Sequence, residues 1–172
     1  MEIKTSDYEK IGSFYLGRGY DLKNKQLVDE LVLYDSKDLV THGVVLGMTG
    51  SGKTGLCISI LEEAAMDNIP AIIIDPKGDI ANLMLNFPDF KASDFRPWIN
   101  EDDASKKGKT PDEFAEKTAN MWKEGIASWG QGPERVQQLR DKVDVNIFTP
   151  GSKAGIPVSI LSSLEVPPFE VL

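Results

Sequence analysis

Gly47-Met48-Thr49-Gly50-Ser51-Gly52-Lys53-Thr54 follows directly on the apolar run Val44-Val45-Leu46. Gly47, Gly52, Lys53 and Thr54 satisfy the spacing G-x-x-x-x-G-K-[ST], which carries meaning only between a strand and a helix. That context is predicted on both sides. Val44-Val45-Leu46 reads as a short buried strand, and from Gly52 onward Leu56, Ile60, Leu61 and Ala64 recur at helical spacing. Glu62, Glu63 and Asp67 fall towards the other side of that helix, and Asn68 and Pro70 close it. A loop of this kind points successive N–H groups at an anion, and the helix start adds unsatisfied donors and the positive end of its dipole. Gly50 and Gly52 permit positive φ and close backbone approach. The pattern therefore predicts a triphosphate site. Gly47, Thr49, Gly50, Ser51, Gly52, Lys53, Thr54 and Gly55 line it, Lys53 neutralises the β and γ phosphates, and Thr54 offers its hydroxyl to Mg²⁺. A glycine-rich turn without a ligand is the plain alternative, and the complete motif in this context argues against it.

Ala71-Ile72-Ile73-Ile74-Asp75 is a second apolar, β-branched run. It is too continuous for a half-exposed strand and suits a parallel sheet covered on both faces. Strand, helix and strand in this order predict a right-handed βαβ unit in an α/β fold. Ligands of such sheets bind outside the carboxyl ends of strands, so Asp75 is expected on the same edge as the phosphate loop. A carboxylate there can hold a magnesium-bound water or orient the attacking one. The competing reading is a capped turn, since aspartate and Gly78 both favour turns.

Before the motif, Gly12 to Arg18 reads as a brief strand, Leu27 to Tyr34 fits strand or helix alike, and Asp35-Ser36-Lys37-Asp38 signals a turn. After it, residues 82 to 110 read as irregular, with Pro88, Pro97, Asp102, Asp103, Lys106, Lys107 and Gly108 marking loop. Thr110-Pro111-Asp112-Glu113 is a helix start with a capping-box spacing and proline at the first position. Phe114, Thr118, Met121, Trp122, Ile126 and Trp129 form its apolar stripe, and both tryptophans are expected in the core. Gly130-Gln131-Gly132 breaks that helix, Pro133 opens another, and Val143 to Phe148 alternates like a strand ended by Pro150-Gly151. The tail carries Pro157, Pro167 and Pro168.

Composition narrows the function classes. The chain has 172 residues, 41% hydrophobic and 27% charged, which suits one globular domain with a small appendage. A net charge of −8 argues against a free-standing nucleic-acid binder. Cys57 is the single cysteine, so no internal disulfide can form and nothing demands an oxidising compartment. No apolar run approaches membrane-spanning length, and a soluble, cytoplasmic chain is expected. His42 is the only histidine, and a packed or partly exposed role suits it better than catalysis. Cys57 reads as a small hydrophobe in the first helix, no His or Cys cluster suggests zinc, and Lys106, Lys107 and Lys109 read as a solvated loop.

Thr41 to Thr54, followed by Ile74-Asp75-Pro76-Lys77-Gly78-Asp79, resembles the HerA/FtsK class of ATPases. The resemblance implies a RecA-like P-loop domain, ATP with Mg²⁺, a hexameric ring of identical subunits, and work on DNA. It matches both the Thr-Gly-Ser-Gly-Lys core of the phosphate loop and the Asp-Pro-x-Gly-acid motif of the next strand. Asp79 stands where many members carry glutamate. By this resemblance Lys53, Asp75 and Asp79 are the candidate catalytic residues, with Thr54 and Asp75 towards the metal. Tyr15-Leu16-Gly17-Arg18 resembles the small β-rich lead-in of such proteins, which divides the chain into residues 1–40 and an ATPase part, 41–172, with a helical insertion over about 85–141. Members also carry a later apolar strand ending in Asp-Glu, and none is found after Asp79. Glu101-Asp102 and Asp112-Glu113 sit in polar contexts. The chain is therefore expected to be the amino-terminal part of a larger motor that binds nucleotide better than it turns it over.

Two other classes compete. A small nucleotide kinase or GTPase is complete at about this length. The guanine-reading Asn-Lys-x-Asp fails at Asn24-Lys25-Gln26-Leu27, and a kinase lid would need more arginines than the scattered Arg96, Arg135 and Arg140. A nucleotide-gated interaction module would bind ATP without turnover.

Overall fold

The computed structural model of the chain describes residues 5–158. Pro167 and Pro168 lie outside the described residues. A short helix α1 (Thr5–Tyr8) leads into an antiparallel hairpin, β1 (Ser13–Asp21) and β2 (Gln26–Asp35). The stretch from Leu27 to Tyr34 is thus a strand. Its register pairs Tyr15 with Leu33 and Tyr20 with Leu27, with irregularities between Tyr15 and Gly17 and between Arg18 and Tyr20. Asn24-Lys25 forms the hairpin turn: Asp21 Oδ1 accepts from the Lys23 and Asn24 N–H groups. Lys25 takes the left-handed conformation there, at φ 52°.

Helix α2 (Lys53–Met66) begins at the glycine-rich loop. Glu63, Ala64 and Met66 are its buried residues. The structure corrects the expectation that Glu63 and Asp67 face away from the protein. The Glu63 carboxylate pairs with Arg135 and accepts the Tyr15 N–H at 3.1 Å, and Asp67 Oδ2 accepts the Gly12 N–H at 2.7 Å. Acidic side chains on this face bind the hairpin rather than solvent.

The parallel sheet is not formed in this structure. Residues 43–48 and 69–75 lie outside every strand, with Val44 78%, Leu46 86%, Ile72 98% and Ile74 88% exposed. The expected buried strands at 44–46 and 71–75 are corrected accordingly. The physical reason is that a central parallel strand satisfies its backbone only through neighbours brought from elsewhere in the chain. Among the described residues no strand pairs with either run. The only parallel pair described is short, β3 (Phe148–Pro150) beside β4 (Ile156–Val158). The strand expected over 143–148 is therefore confined to its last residue and shifted onto 148–150.

The region after Asp79 is more helical than its polar composition suggests. A 3₁₀ turn (Ile80–Met84) precedes α3 (Ala92–Phe95), a second 3₁₀ turn (Arg96–Trp98), and α4 (Glu101–Lys106). Asp102, Asp103 and Lys106, expected in a loop, stand in α4 because Asn100 caps it: its side chain accepts from the Asp102 and Asp103 N–H groups. Helix α5 (Pro111–Ser128) carries the predicted capping box, with Thr110 and Glu113 bonding reciprocally. Helix α6 (Pro133–Lys142) follows the break at residues 130–132.

Two cores hold these parts. Phe95, Ala115 and Ala119 pack with Phe87, Phe90, Ala92 and Ile99, and Phe95 meets the Phe87 and Trp122 rings edge-on. A second cluster joins α1, β1, α2 and α6. There Tyr8 and Tyr15 stack at 4.6 Å, and the Arg135 guanidinium lies over Tyr8 while paired with Glu9 and Glu63. Trp122 and Trp129, expected in the core, remain 38% and 43% exposed. Each uses one edge or its backbone instead: the Trp129 carbonyl accepts the Tyr15 hydroxyl.

Candidate nucleotide-binding site

The loop before α2 has the backbone its glycines predict. Gly50 and Gly52 take φ +79° and +88°, in the region L side chains avoid. Gly52 is the N-cap of α2. The Ser51 N–H donates to the Met48 carbonyl at 3.2 Å, which closes the turn. Gly47 is tight for a different reason: a Cβ there would crowd the Ser51 hydroxyl, which would have to turn aside.

The first helical bond runs from the Leu56 N–H to the Gly52 carbonyl at 3.0 Å. The N–H groups of Lys53, Thr54 and Gly55 precede it, as the first-turn donors of a helix do. They stand at the positive end of a helix of 14 residues. Thr49, Ser51 and Thr54 are exposed around this end, and Lys53 is half-buried. Its Nζ folds back to donate to the Met48 carbonyl at 2.6 Å. That bond holds the cation over the loop it would serve.

Asp75 behaves as a turn former. Its Oδ1 accepts the Gly78 N–H at 2.9 Å and its Oδ2 the Ile80 N–H at 2.8 Å. These backbone donors, Ile80 first, hold its carboxyl below the ordinary aspartate range and keep it ionised. Gly78 takes φ +81° to complete the turn. Asp79 is engaged separately, by Lys77 Nζ at 2.5 Å. This pair is exposed, at 81% for the lysine side chain. No contact joins Asp75 or Asp79 to Lys53 or Thr54 among the described residues.

Among the described residues no cluster of His, Cys, Asp or Glu could by itself hold a metal ion. Magnesium carried on a triphosphate draws only one or two protein ligands and keeps its waters. The Thr54 hydroxyl at the helix start fits the first role. Asp75 fits an outer one, because a carboxylate oxygen that accepts one N–H retains a lone pair for a metal-bound water.

His42 is exposed and Cys57 is a free, half-buried thiol. Lys106 pairs with Asp103, and Lys107 lies over the Phe114 ring at 4.8 Å, so two of the three lysines have partners within the chain. No described helix is long and apolar enough to cross a membrane. What sequence reasoning missed is Glu62, Glu63 and Arg135. The buried face of α2 holds Glu63, with the half-buried Glu62 beside it, and their one signal in the sequence was an arginine in α6.

Comparison with known families decides the assignment. A model described as "Helicase HerA, central domain" matches residues 16–166. The chain belongs to this family. The HerA family is one of ATPase, helicase-type motors, and its match covers most of the β1–β2 hairpin, the loop 47–55 and the helices α2 to α6. The small-kinase and GTPase readings are set aside by it. No curated protein and no solved structure matches the chain.

Proposed function

We propose that this HerA-family chain binds ATP with Mg²⁺ at the loop 47–55, as the nucleotide site of a DNA-translocating or helicase-type motor. The observation that carries the reading is the pair of left-handed glycines, Gly50 and Gly52, opening α2 at Lys53. Gly47, Thr49, Gly50, Ser51, Gly52 and Gly55 cradle the phosphates through backbone donors and Lys53 neutralises the terminal ones. Thr54 holds the metal, with Asp75 supporting it through water and Asp79 close by in sequence. ATP bound with its magnesium supplies the phosphoryl group. In the assembled motor, Val44–Leu46 and Ala71–Asp75 are neighbouring strands of a RecA-like parallel sheet, which would cover the apolar side chains now exposed. Residues 1–40 form the lead-in, 41–172 belong to the ATPase domain, and about 85–141 form a helical insertion. Family membership supports a homo-hexameric ring acting on DNA, in the cytoplasm.

A second reading is favoured by the carboxylates. Both Asp75 oxygens are taken by backbone donors and Asp79 is paired with Lys77. On this reading neither carboxylate is the base that activates water, Asp75 serving only as an acceptor for a metal-bound water, and this chain by itself binds nucleotide without turning it over.

The test is calorimetry with ATP and GTP in the presence of Mg²⁺, with hydrolysis followed in the same samples. ATP should bind in preference to GTP, with negligible phosphate release. Lys53→Ala should abolish binding while leaving the melting temperature unchanged. A Lys53→Ala protein that binds ATP at wild-type affinity would refute the site, and clear turnover would refute the second reading.

A further inference from the structure

A cleft of about 210 Å³ opens between α2, the segment 85–90, α5 and α6. It lies away from the phosphate loop: Glu62, on its α2 wall, is about 14 Å along the helix axis from Lys53. Its walls are chiefly apolar and aromatic, with Met66, Phe87, Phe90 and Trp122 among them. Glu62 is the one carboxylate lining it. Burial pushes the Glu62 carboxyl above the ordinary glutamate range, and the nearby Arg135 only partly offsets this.

The surrounding charges do not neutralise it. Arg135 also lines the cleft, but its Nη1 and Nη2 are paired with Glu9 and Glu63. Lys142 donates its ammonium to the Met66 carbonyl at 3.1 Å. Asn86 Nδ2 donates to the Leu83 carbonyl at 2.9 Å. Glu62 itself accepts no hydrogen bond among the described residues, and its half-buried carboxyl is not closed off, so it is open to a donor that enters the cleft. A carboxylate of this kind set in an aromatic cleft is complementary to a cation on an apolar stem.

We propose that this cleft is a binding site for an unbranched alkylammonium cation, with its ammonium on Glu62 and its methylenes against Phe87, Phe90 and Trp122. The cation comes either as a free amine or as the end of a lysine side chain. The two share the same chemistry at Glu62 and differ in the bulk that must remain outside.

The test titrates the chain with hexylamine hydrochloride, hexanol and Nα-acetyl-lysine methylamide, using calorimetry and the NMR shifts of the Ile58 and Met66 methyls and the Trp122 indole. Hexylammonium should bind at least about tenfold more tightly than hexanol, the size of one charge-assisted hydrogen bond. Glu62→Gln should remove that preference. Val136→Phe, which fills the cleft and leaves the carboxylate in place, should weaken both ligands. Lys53→Ala should change neither, which separates this site from the nucleotide site. If hexylamine binds more tightly than the lysine derivative, the ligand is a free amine; the reverse order assigns it to a lysine side chain. Equal affinity for hexylammonium and hexanol, shifts scattered over the acidic surface, or displacement of hexylammonium by ATP would overturn the proposal.

Discussion

Glu63 is tied at once to the Tyr15 backbone and to the Arg135 guanidinium, so the last turn of α2 is fastened to the hairpin and to α6. The first turn of the same helix carries Lys53. One rigid element therefore connects the candidate phosphate loop with the lead-in hairpin. The fastening is ionic and largely dry, since the Arg135 and Glu63 side chains are only 7% and 8% exposed.

Removing one member of such a set leaves a buried charge uncompensated. Arg135→Ala is expected to destabilise the chain by about 3–5 kcal/mol, read from urea denaturation at constant slope. Arg135→Met combined with Glu63→Leu should recover part of that loss, because an apolar pair replaces the ions. The Tyr15 N–H loses its acceptor in the double variant, so recovery is incomplete.

Gly50 and Gly52 test the loop conformation without touching a charge. Alanine at Gly50, where φ is +79°, should cost about 1 kcal/mol in chemical denaturation. No neighbouring atom stands within 4 Å of the added Cβ, so the cost is conformational. Gly47→Ala should instead turn the Ser51 hydroxyl aside, at a smaller cost in stability than Gly50→Ala. Both variants should weaken ATP binding. Unchanged stability in Gly50→Ala would show that the residue does not hold positive φ in solution.

The start of α5 rests on a local motif. The Thr110 hydroxyl accepts the Glu113 N–H at 3.2 Å, and Glu113 Oε2 accepts the Thr110 N–H at 2.8 Å. Thr110→Ala should cost about 1 kcal/mol, and Thr110→Ser should restore most of it. Amide exchange in the first turn of α5 would rise in the alanine variant alone.

Glu62 sets a pH dependence whose sign follows from its environment. Burial raises its folded-state pKa above the unfolded value of about 4.3. The folded state thus keeps the proton to higher pH, and stability falls as pH rises through the window between the two values. Above that window the full penalty is present. Glu62→Gln should therefore be more stable than wild type at neutral pH, by on the order of 1 kcal/mol. The advantage should shrink as pH falls through that window. Glu63 is raised in the same direction, by burial against the opposing Arg135, but it is common to both proteins and cancels in the difference. An advantage that grows on acidification would contradict the assignment.

Caps and helix breakers were legible where they lay within a few residues of one another. Thr110-Pro111-Asp112-Glu113 and Gly130-Gln131-Gly132 bound α5 where they should, because caps and helix breakers act within a few residues. Gly50, Gly52, Lys53 and Thr54 likewise identified the candidate site and, through their context, the family. Asn100 was a weaker signal of the same kind. Without it the acidic run from Glu101 to Asp103 reads as loop rather than as the first turn of a helix.

Residue type and short spacing were enough for the glycine-rich turn before α2, the bounds of α2 and α5, the start of α6, and the absence of any internal disulfide. Tertiary structure alone decided which side of α2 is buried, where Arg135 goes, and whether Val44–Leu46 and Ala71–Asp75 find strand partners. Those outcomes depend on charges and ladders contributed from distant positions. A glutamate looks solvent-facing until an arginine 72 residues away meets it, and an apolar run becomes a strand only beside another strand.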